Sequence, residues 1–461
     1  MSETTGTGLP GSPTALFDHA LRLHQLAPKV PLPRDGEPYP DGALHDRRQG
    51  PERPADRHSV GKAAALILEA HFAQVSALPR ELAGAFHDVH IPIHSNKHIT
   101  AVAERADRER VRRTGRWLVR HGTDRCSVTV GLALIASVGT VDDIPLIRTI
   151  GLLSNHFGAL AAHALERLQG GADALLWLAE RVTGWGRVHV VEALCRLDSP
   201  TARPWLLRRA CDGDFLNGYF AGKVATAARL HEVLADLATD SEMVDHTGLL
   251  LQLMSDCGGM GLTLARYPHS AAVLEAHARH VGALSPTIER YYGVAWLTHF
   301  LTTRSPETAG CTTDQREALR ATYLSVLDGE KWSRTARAGL AAGDRRMRWL
   351  ADHRTPRFRL RAFPDRTPDV EVWRRPGTGA VRPCLRHRRT GPVPKCRGVE
   401  QWCTKGADRA VGALRGVRAP CCAGPVTWGS SRGPVAGCPA FIRSCADAQG
   451  WVVTTERQLA G

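Results

Sequence analysis

The feature that most constrains this chain is a repeat of helical segments between residues 132 and 211. The segments HALERLQGGADALLWLAERV and EALCRLDSPTARPWLLRRAC align at an offset of 29 residues, and LALIASVGTVDDIPLIRTIG precedes them at an offset of 31. The second helix of each copy carries an aliphatic pair: Leu146 and Ile147, Leu175 and Leu176, Leu206 and Leu207. Because a helix pair of this length cannot bury its apolar faces alone, neighbouring pairs are expected to stack.

The helical pattern extends well beyond the repeats. From about residue 60 to 353, apolar residues recur three and four positions apart, with short Gly, Pro, Asp or Ser breaks and little β-type alternation. The sequence therefore predicts an all-α fold, a HEAT-like α-solenoid of stacked helix pairs over residues 60–353. An irregular all-α bundle is the alternative, since the later segments keep the helical period but lose the repeat register.

The two ends of the chain differ from this body. Residues 1–59 hold one amphipathic segment, TALFDHALRLHQLA, and a stretch rich in Pro, Gly and charge, which predicts an extended, partly disordered N-terminal arm. Residues 354–375 are interpreted as a basic linker. Residues 376–461 form an aperiodic tail rich in Arg, Pro, Gly and Cys. This composition is typical of an out-of-frame translation of GC-rich DNA, so we hypothesise a disordered extension or a frameshift product, which resequencing the gene would test.

Charge is concentrated at the C-terminal end. Of the net charge of +14, residues 376–461 carry +9 and residues 344–375 carry +5, which leaves residues 1–343 neutral. Protein affinity for nucleic acid depends largely on neutralising phosphates. A neutral body therefore argues against nucleic acid as the partner.

The sequence favours a cytoplasmic protein. The first residues lack a basic n-region and an apolar h-region, and no apolar run approaches the ~20 residues of a membrane span. Five of the 12 cysteines are scattered singly through the body, as expected in a reducing compartment. The other seven lie in residues 384–445 without a Cys-x₂-Cys pair, so no zinc ribbon and no cofactor are predicted.

A polar stripe follows the unusual element GWGR. On a helix, Trp185, His189, Glu192 and Arg196 share one face. The repeat offset places His163 on the matching face of the preceding pair, and stacked helices about 8–10 Å apart would bring it towards Glu192. The alternative is an i,i+4 ion pair of Glu192 with Arg196 on a solvated face, with Trp185 over a helix corner.

Two further segments supply candidate residues. The segment DFLNGYFAG offers Asn217 and Tyr219 as a pocket wall, although Asn-Gly is first a turn signal. The segment FHDVHIPIHSNKH contains four histidines at spacings that suit a metal site: His87, His90, His94 and His98. Pro92 breaks the helical register there. A loop whose following helix is capped by Ser95 or Asn96 is the simpler interpretation.

Four of these segments together resemble a known family. They are IPIHSNKHI (91–99), TGRWLVRHG (114–122), DIPLIRTIGLL (143–153) and GWGRVHVVEAL (184–194). They resemble a family of uncharacterised bacterial HEAT-repeat proteins of actinomycetes, with relatives in bacilli that have a similar Gly-Trp-Gly-Arg element. The resemblance covers about residues 15–372. Some relatives carry a limonene hydroxylase label, which implies an oxidising enzyme but maps no catalytic residue onto this chain.

The sequence thus predicts a non-catalytic binding or scaffold protein. Its groove is formed by the inner helices of residues 127–230, and another protein is the expected partner, with a small molecule as the alternative. The predicted contact residues are Trp185, His189, Glu192, Arg196, His163, Asn217 and Tyr219. An enzyme of the monoterpene hydroxylase or dehydrogenase type, or a hydrolase using the His and Glu pair, is the second hypothesis. A HEAT-like nucleic-acid-binding protein is the third.

Overall fold

Helices are the regular elements throughout the residues that this computed structural model describes: 14–42, 56, 58–235, 240–353 and 360–363. The α-helices are α1 (Leu16–Leu26), α2 (Lys62–Ala73), α3 (Lys97–Arg105), α4 (Arg108–His121), α5 (Arg125–Val138), α6 (Ile144–Gly151), α7 (Ser154–Leu165), α8 (Gly171–Ala179), α9 (Gly184–Leu197), α10 (Arg203–Arg209), α11 (Ala221–Ala227), α12 (Leu230–Ala235), α13 (Ser241–Asp256), α14 (Ser270–Ala283), α15 (Ile288–Thr303), α16 (Thr313–Asp328), α17 (Glu330–Ala341) and α18 (Arg345–His353). The described ranges contain no strand, and the all-α prediction is confirmed for them.

Short 3₁₀ helices connect some of these elements. They lie at Pro33–Gly36, Pro79–Leu82, Val141–Asp143, Phe215–Tyr219, Leu264–Arg266 and Pro306–Ala309. Within the described part of the chain, none of the helices is both long and apolar enough to cross a membrane.

Local capping chemistry determines where many helices begin. Side-chain oxygens of polar residues accept hydrogen bonds from first-turn N–H groups of α3, α4, α5, α13, α15 and α16; these residues are Asn96, Asp107, Asp124, Asp240, Thr287 and Thr312. Such a cap satisfies backbone donors that have no partner within the helix. Asn96 is therefore the cap of the helix that follows the histidine-rich loop.

The helices contact one another in two series. From α3 to α17, each odd-numbered helix contacts the next odd-numbered one. The even-numbered helices α4, α6 and α8 form a second series, as do α12, α14 and α16. Sequential helices such as α4 and α5, α6 and α7, or α8 and α9 pack together across their connecting turns. The helices that carry the sequence repeat are α5 to α10.

Helix α5 lies within this arrangement and is buried on nearly all sides. It contacts α3, α4 and α7, and its residues from Ser127 to Ala136 are buried. A helix that is apolar all round belongs in a protein interior. Glycines permit the close approach of its neighbour, because the Cβ of an alanine at Gly115 of α4 would lie 3.0 Å from the carbonyl oxygen of Gly131 of α5.

The N-terminal segment lies against this body. Helix α1 contacts α4 and α6. Beyond it, Asp35 accepts hydrogen bonds from the N–H groups of Ser154 and Asn155 at the start of α7. Asp41 accepts hydrogen bonds from the backbone and side chain of Arg125 at the start of α5. Of the predicted arm 1–59, residues 1–13, 43–55 and 57 lie outside the described residues.

The last described residues, 360–363, pack against α15. Leu360, Ala362 and Phe363 are buried, and the Phe363 ring meets the Tyr291 ring edge-on at 6.1 Å. These residues belong to the predicted linker 354–375. The rest of that linker and the whole predicted tail 376–461 lie outside the described residues.

Candidate functional site

Three of the four residues of the GWGR element at the start of α9 have structural roles, one in backbone conformation and two in packing. Gly184 has a φ of +57°, in the left-handed region that favours glycine. Gly186 faces Ser154 of α7 so closely that a Cβ would overlap the serine side chain. The Arg187 guanidinium is buried and donates to the carbonyl oxygens of Ala179 at the end of α8 and Ala210 after α10, each at 2.9 Å.

Arg187 therefore closes the C-terminal ends of two neighbouring helices. Its Nη2 donates to the Arg209 carbonyl oxygen at 2.5 Å. Carbonyl groups at a helix C-terminus lack partners within the helix, and a cation there interacts favourably with the helix dipole. Burial lowers the pKa of Arg187. The residue nevertheless has three carbonyl acceptors and Asp212 nearby at 3.6 Å, which compensate its buried charge.

Trp185 is the residue of this element that faces solvent. Its side chain is 43 % exposed, and its ring lies 5.0 Å from the Tyr219 ring and 6.1 Å from the His189 ring. Phe215, on the same 3₁₀ helix as Tyr219, is 59 % exposed. We call Trp185, His189, Phe215 and Tyr219 the aromatic patch. The structure thus brings three of the predicted contact residues together. Phe215, which the sequence analysis did not single out, is included because it is exposed at the start of the 3₁₀ helix that carries Tyr219.

Burial determines the protonation state of His189 in the aromatic patch. Burial lowers the pKa of His189 to about 4, and the nearby His94 adds to this shift. The His94 ring meets the His189 ring edge-on at 5.4 Å. His189 is therefore a neutral imidazole near neutral pH. It can accept or donate a hydrogen bond, but it does not supply a positive charge there.

The remaining polar residues of the predicted stripe pair with neighbouring helices. Arg196 binds Glu166, the residue after α7, through Nη2 at 2.6 Å, and Glu192 binds Lys223 of α11. His163 lies 3.5 Å from Glu166. In the structure, Glu192 and Arg196 pair with these residues outside α9, whereas the alternative interpretation of the sequence paired them with each other. Glu192 and His163 engage different partners, so they form no acid–base pair of the kind a hydrolase would use.

Asn217 lies inside the turn that carries the aromatic patch. It is 1 % exposed, and its Oδ1 accepts hydrogen bonds from the N–H groups of Asp212 and Gly213. Its role here is to hold the turn, so it does not contribute to the surface. Tyr219 is half-buried beneath Trp185 and is the member of this pair that reaches the patch.

The four histidines of the predicted metal site lie in separate surroundings. The His98 ring hydrogen bonds to the His58 carbonyl oxygen at 2.7 Å. His94 packs on His189, whereas His87 lies 4.0 Å from Asp124 at the start of α5. His90 is half-buried on the intervening loop. Because three of these side chains face different helices, the segment does not place all four at one metal ion.

A cleft that the sequence analysis did not identify borders the turn at Asp212 and Gly213. It has a volume of about 470 Å³ and lies among α13, α14, α15 and the start of α18. Its rim carries two ion pairs, Asp245 with Arg290 at 2.7 Å and Glu289 with Arg346 at 2.9 Å. Asp245 and Arg290 lie on separate helices, so no local sequence pattern signals the cleft.

His277 supplies a defined hydrogen-bond acceptor to the wall of this cleft. The Tyr323 hydroxyl lies 3.1 Å from the Leu274 carbonyl oxygen, which can only accept, so the hydroxyl proton is directed there. His277 Nδ1, at 2.9 Å from the same hydroxyl oxygen, must then be the donor. This tautomer leaves Nε2 unprotonated beside Gly248, and burial lowers the pKa of His277 to about 3.

Buried thiols near the aromatic patch are not arranged as nucleophiles. Burial raises the pKa of Cys195 on α9 to about 12, and burial likewise raises the pKa of Cys211. A catalytic cysteine needs a thiolate near neutral pH. These two residues behave as small apolar core residues.

Comparisons with known proteins give no match to this chain, whether with family models, curated proteins or solved structures.

Proposed function

We propose that this chain is a cytoplasmic, non-catalytic binding protein built as a HEAT-like α-solenoid, and that it docks a partner protein on the aromatic patch. The continuous contacts of the odd-numbered helices from α3 to α17 support the solenoid architecture. They are the pattern expected when repeated helix pairs stack on their neighbours. The resemblance to the bacterial HEAT-repeat family is part of the same proposal.

The observation that carries the proposal is that Trp185 is exposed, whereas the residues that follow it in the GWGR element are packed against other helices. Gly186 and Arg187 are occupied by a helix crossing and by two helix ends, whereas Trp185 is 43 % exposed. The solvent-exposed part of the Trp185 ring makes no contribution to the packing of the fold. Exposed Trp and Tyr side chains are the residue types most enriched among binding hot spots.

The surroundings of Trp185 favour a protein surface as the ligand. The Tyr219 ring packs on Trp185, and Phe215 is exposed at the start of the same 3₁₀ helix. Glu192, further along α9, pairs with Lys223 of α11. An apolar centre with a paired, solvated rim is typical of protein interfaces. The neutral charge of residues 1–343 supports this proposal over nucleic-acid binding. The pairing of Glu192 with Lys223 supports it over hydrolysis by a His and Glu pair.

The experiment is a pull-down from the native cytosol with the full chain, quantified by mass spectrometry. We expect a protein captured by the wild type to be reduced about 30-fold or more by Trp185→Ala and by Phe215→Ala, the effect of losing a hot spot. Leu66→Ala is the matched control, because Leu66 on α2 is also an exposed apolar side chain, at 65 %. It should capture the partner as the wild type does.

Two outcomes would contradict this proposal. One is capture that Trp185→Ala and Phe215→Ala leave unchanged, which would place the binding surface elsewhere. The other is a captured species that nuclease removes and that dissociates steeply with added salt, as phosphate contacts require. Circular dichroism of both variants checks that they keep the helical fold.

A further inference from the structure

We propose that His87, Asp124 and Cys126 form a zinc-binding site that clips the loop between α2 and α3 to the start of α5. One ligand atom from each of the three residues lies within 4.8 Å of the other two. Imidazole nitrogen, carboxylate oxygen and thiolate sulfur are the three protein ligand types that zinc binds. This set differs from the four histidines of the loop, of which it uses only His87.

Each ligand is held by structure that does not depend on a metal. His87 follows a turn at Gly84, which has a φ of +79°, and its neighbour Phe86 is fully buried in the core. Asp124 is the N-cap of α5, and Cys126 lies in the first turn of the same helix. The chain therefore brings a loop residue and two helix residues to one place by ordinary packing.

The spacing suits zinc after a small adjustment. Zinc bonds of about 2.0–2.3 Å in tetrahedral geometry place ligand atoms roughly 3.3–3.8 Å apart. His87 Nδ1 lies 4.0 Å from Asp124 Oδ1. The three atoms already lie within 4.8 Å of one another. We therefore expect rotation of the His87 and Cys126 side chains to bring them to these distances. Three protein ligands leave a fourth position for water.

The charge around this site also suits a divalent cation. Asp124 is 7 % exposed. The adjacent cation Arg125 is directed to Asp41, which it binds at 3.0 Å. A carboxylate together with a thiolate formed on metal binding would neutralise the two charges of zinc. The first turn of a helix, in turn, favours anionic ligands at Asp124 and Cys126.

The test measures zinc bound to the full chain. The seven tail cysteines (Cys384, Cys396, Cys403, Cys421, Cys422, Cys438 and Cys445) are first replaced by serine, so that their thiols do not contribute. In this background we expect one tightly bound zinc per chain after dialysis against zinc chloride, measured by elemental mass spectrometry. Zinc should also raise the midpoint of thermal unfolding.

Three site variants and three matched controls isolate the ligands. His87→Ala, Asp124→Asn and Cys126→Ser should each weaken zinc binding by about 100-fold or more and remove the shift in unfolding midpoint. Asp124→Asn keeps a good helix cap, so its loss of zinc would not come from unfolding. The controls are His98→Ala, Asp107→Asn and Cys195→Ser, which should bind zinc as the background does.

Cobalt gives an independent signature of the thiolate ligand. Substitution with Co²⁺ should produce a sulfur-to-metal charge-transfer band that Cys126→Ser abolishes and Cys195→Ser preserves. The proposal is overturned if the background chain binds no zinc at micromolar concentration. It is equally overturned if the three site variants retain the same bound metal as their controls.

Discussion

At the scale of single residues, each residue of the GWGR element has a different role. Gly184 takes a left-handed φ at the helix start, and Gly186 lets α9 approach α7. Arg187 closes two helix ends, whereas Trp185 faces solvent. The sequence indicated that the glycines relieve a corner. It did not show that the arginine is buried, because its acceptors come from residues 8 and 23 positions away.

The close crossing at Gly186 leads to a stability prediction. Gly186→Ala places a methyl group against Ser154, and the Cα of Gly186 lies 3.2 Å from where a Cβ at Gly158 would be. We expect the free energy of unfolding to fall by roughly 1–3 kcal/mol, although alanine favours helices by about 1 kcal/mol. Urea denaturation followed by circular dichroism measures this change.

A glycine in open space provides the control for that crossing. Gly259 has no atom within 4 Å of an added Cβ. Gly259→Ala should therefore leave the free energy of unfolding nearly unchanged. Equal losses for the two variants would show that the cost comes from the backbone and not from the α7–α9 contact.

At the scale of helices, ion pairs link successive members of the odd-numbered series. Glu166, at the C-terminal end of α7, pairs with Arg196 of α9, and Glu192 of α9 pairs with Lys223 of α11. Sequence spacing suggested a pair within α9 because residues four apart lie on one helix face. In the structure, both residues of α9 pair with residues outside that helix. The spacing of residues along the sequence carries no information about such partners.

A double-mutant cycle distinguishes the two pairings of Arg196. Arg196→Ala and Glu166→Gln should show a coupling energy of about 0.3–1 kcal/mol, the usual size for solvated pairs. Arg196→Ala and Glu192→Gln should show none. Chemical denaturation at low salt measures both couplings, and the first should decrease as salt is added. Coupling to Glu192 alone would instead support the pair within the helix.

At the scale of the whole molecule, buried histidines connect folding to pH. Burial lowers the pKa of His246 to about 4 and that of His277 to about 3, from an ordinary value of 6.5. Between pH 6.5 and 4, the unfolded chain binds protons at these positions that the native chain does not. Stability therefore falls as pH decreases through this window, and is fully present above pH 6.5.

The variant His277→Gln tests whether His277 contributes to the pH dependence of stability. Between pH 6.5 and 4.5, each of these histidines should contribute a loss of about 2–3 kcal/mol in the free energy of unfolding. His277→Gln should make the pH profile less steep than that of the wild type, whereas His121→Gln, at an exposed position, should not. Urea denaturation at several pH values measures the slopes. Identical slopes in all three proteins would contradict the role of His277.

The sequence by itself determined that the described residues fold into helices. Apolar residues three and four apart and polar caps such as Asn96 and Asp124 act within one or two turns, so a linear pattern contains them. Trp185, His189 and Tyr219 were also identified from the sequence, the first two from a shared helix face and Tyr219 from the segment with the Asn-Gly turn signal.

Only the tertiary structure decided which side chains meet. The Asp35 cap of α7 joins residues 119 positions apart, and the Tyr323 contact that assigns the His277 tautomer spans 46. His87, on the loop between α2 and α3, lies 4.0 Å from Asp124 at the start of α5. The 470 Å³ cleft combines residues from four helices. Contacts of this kind depend on how stacked helices are offset and rotated, which is settled by the packing of all their faces together.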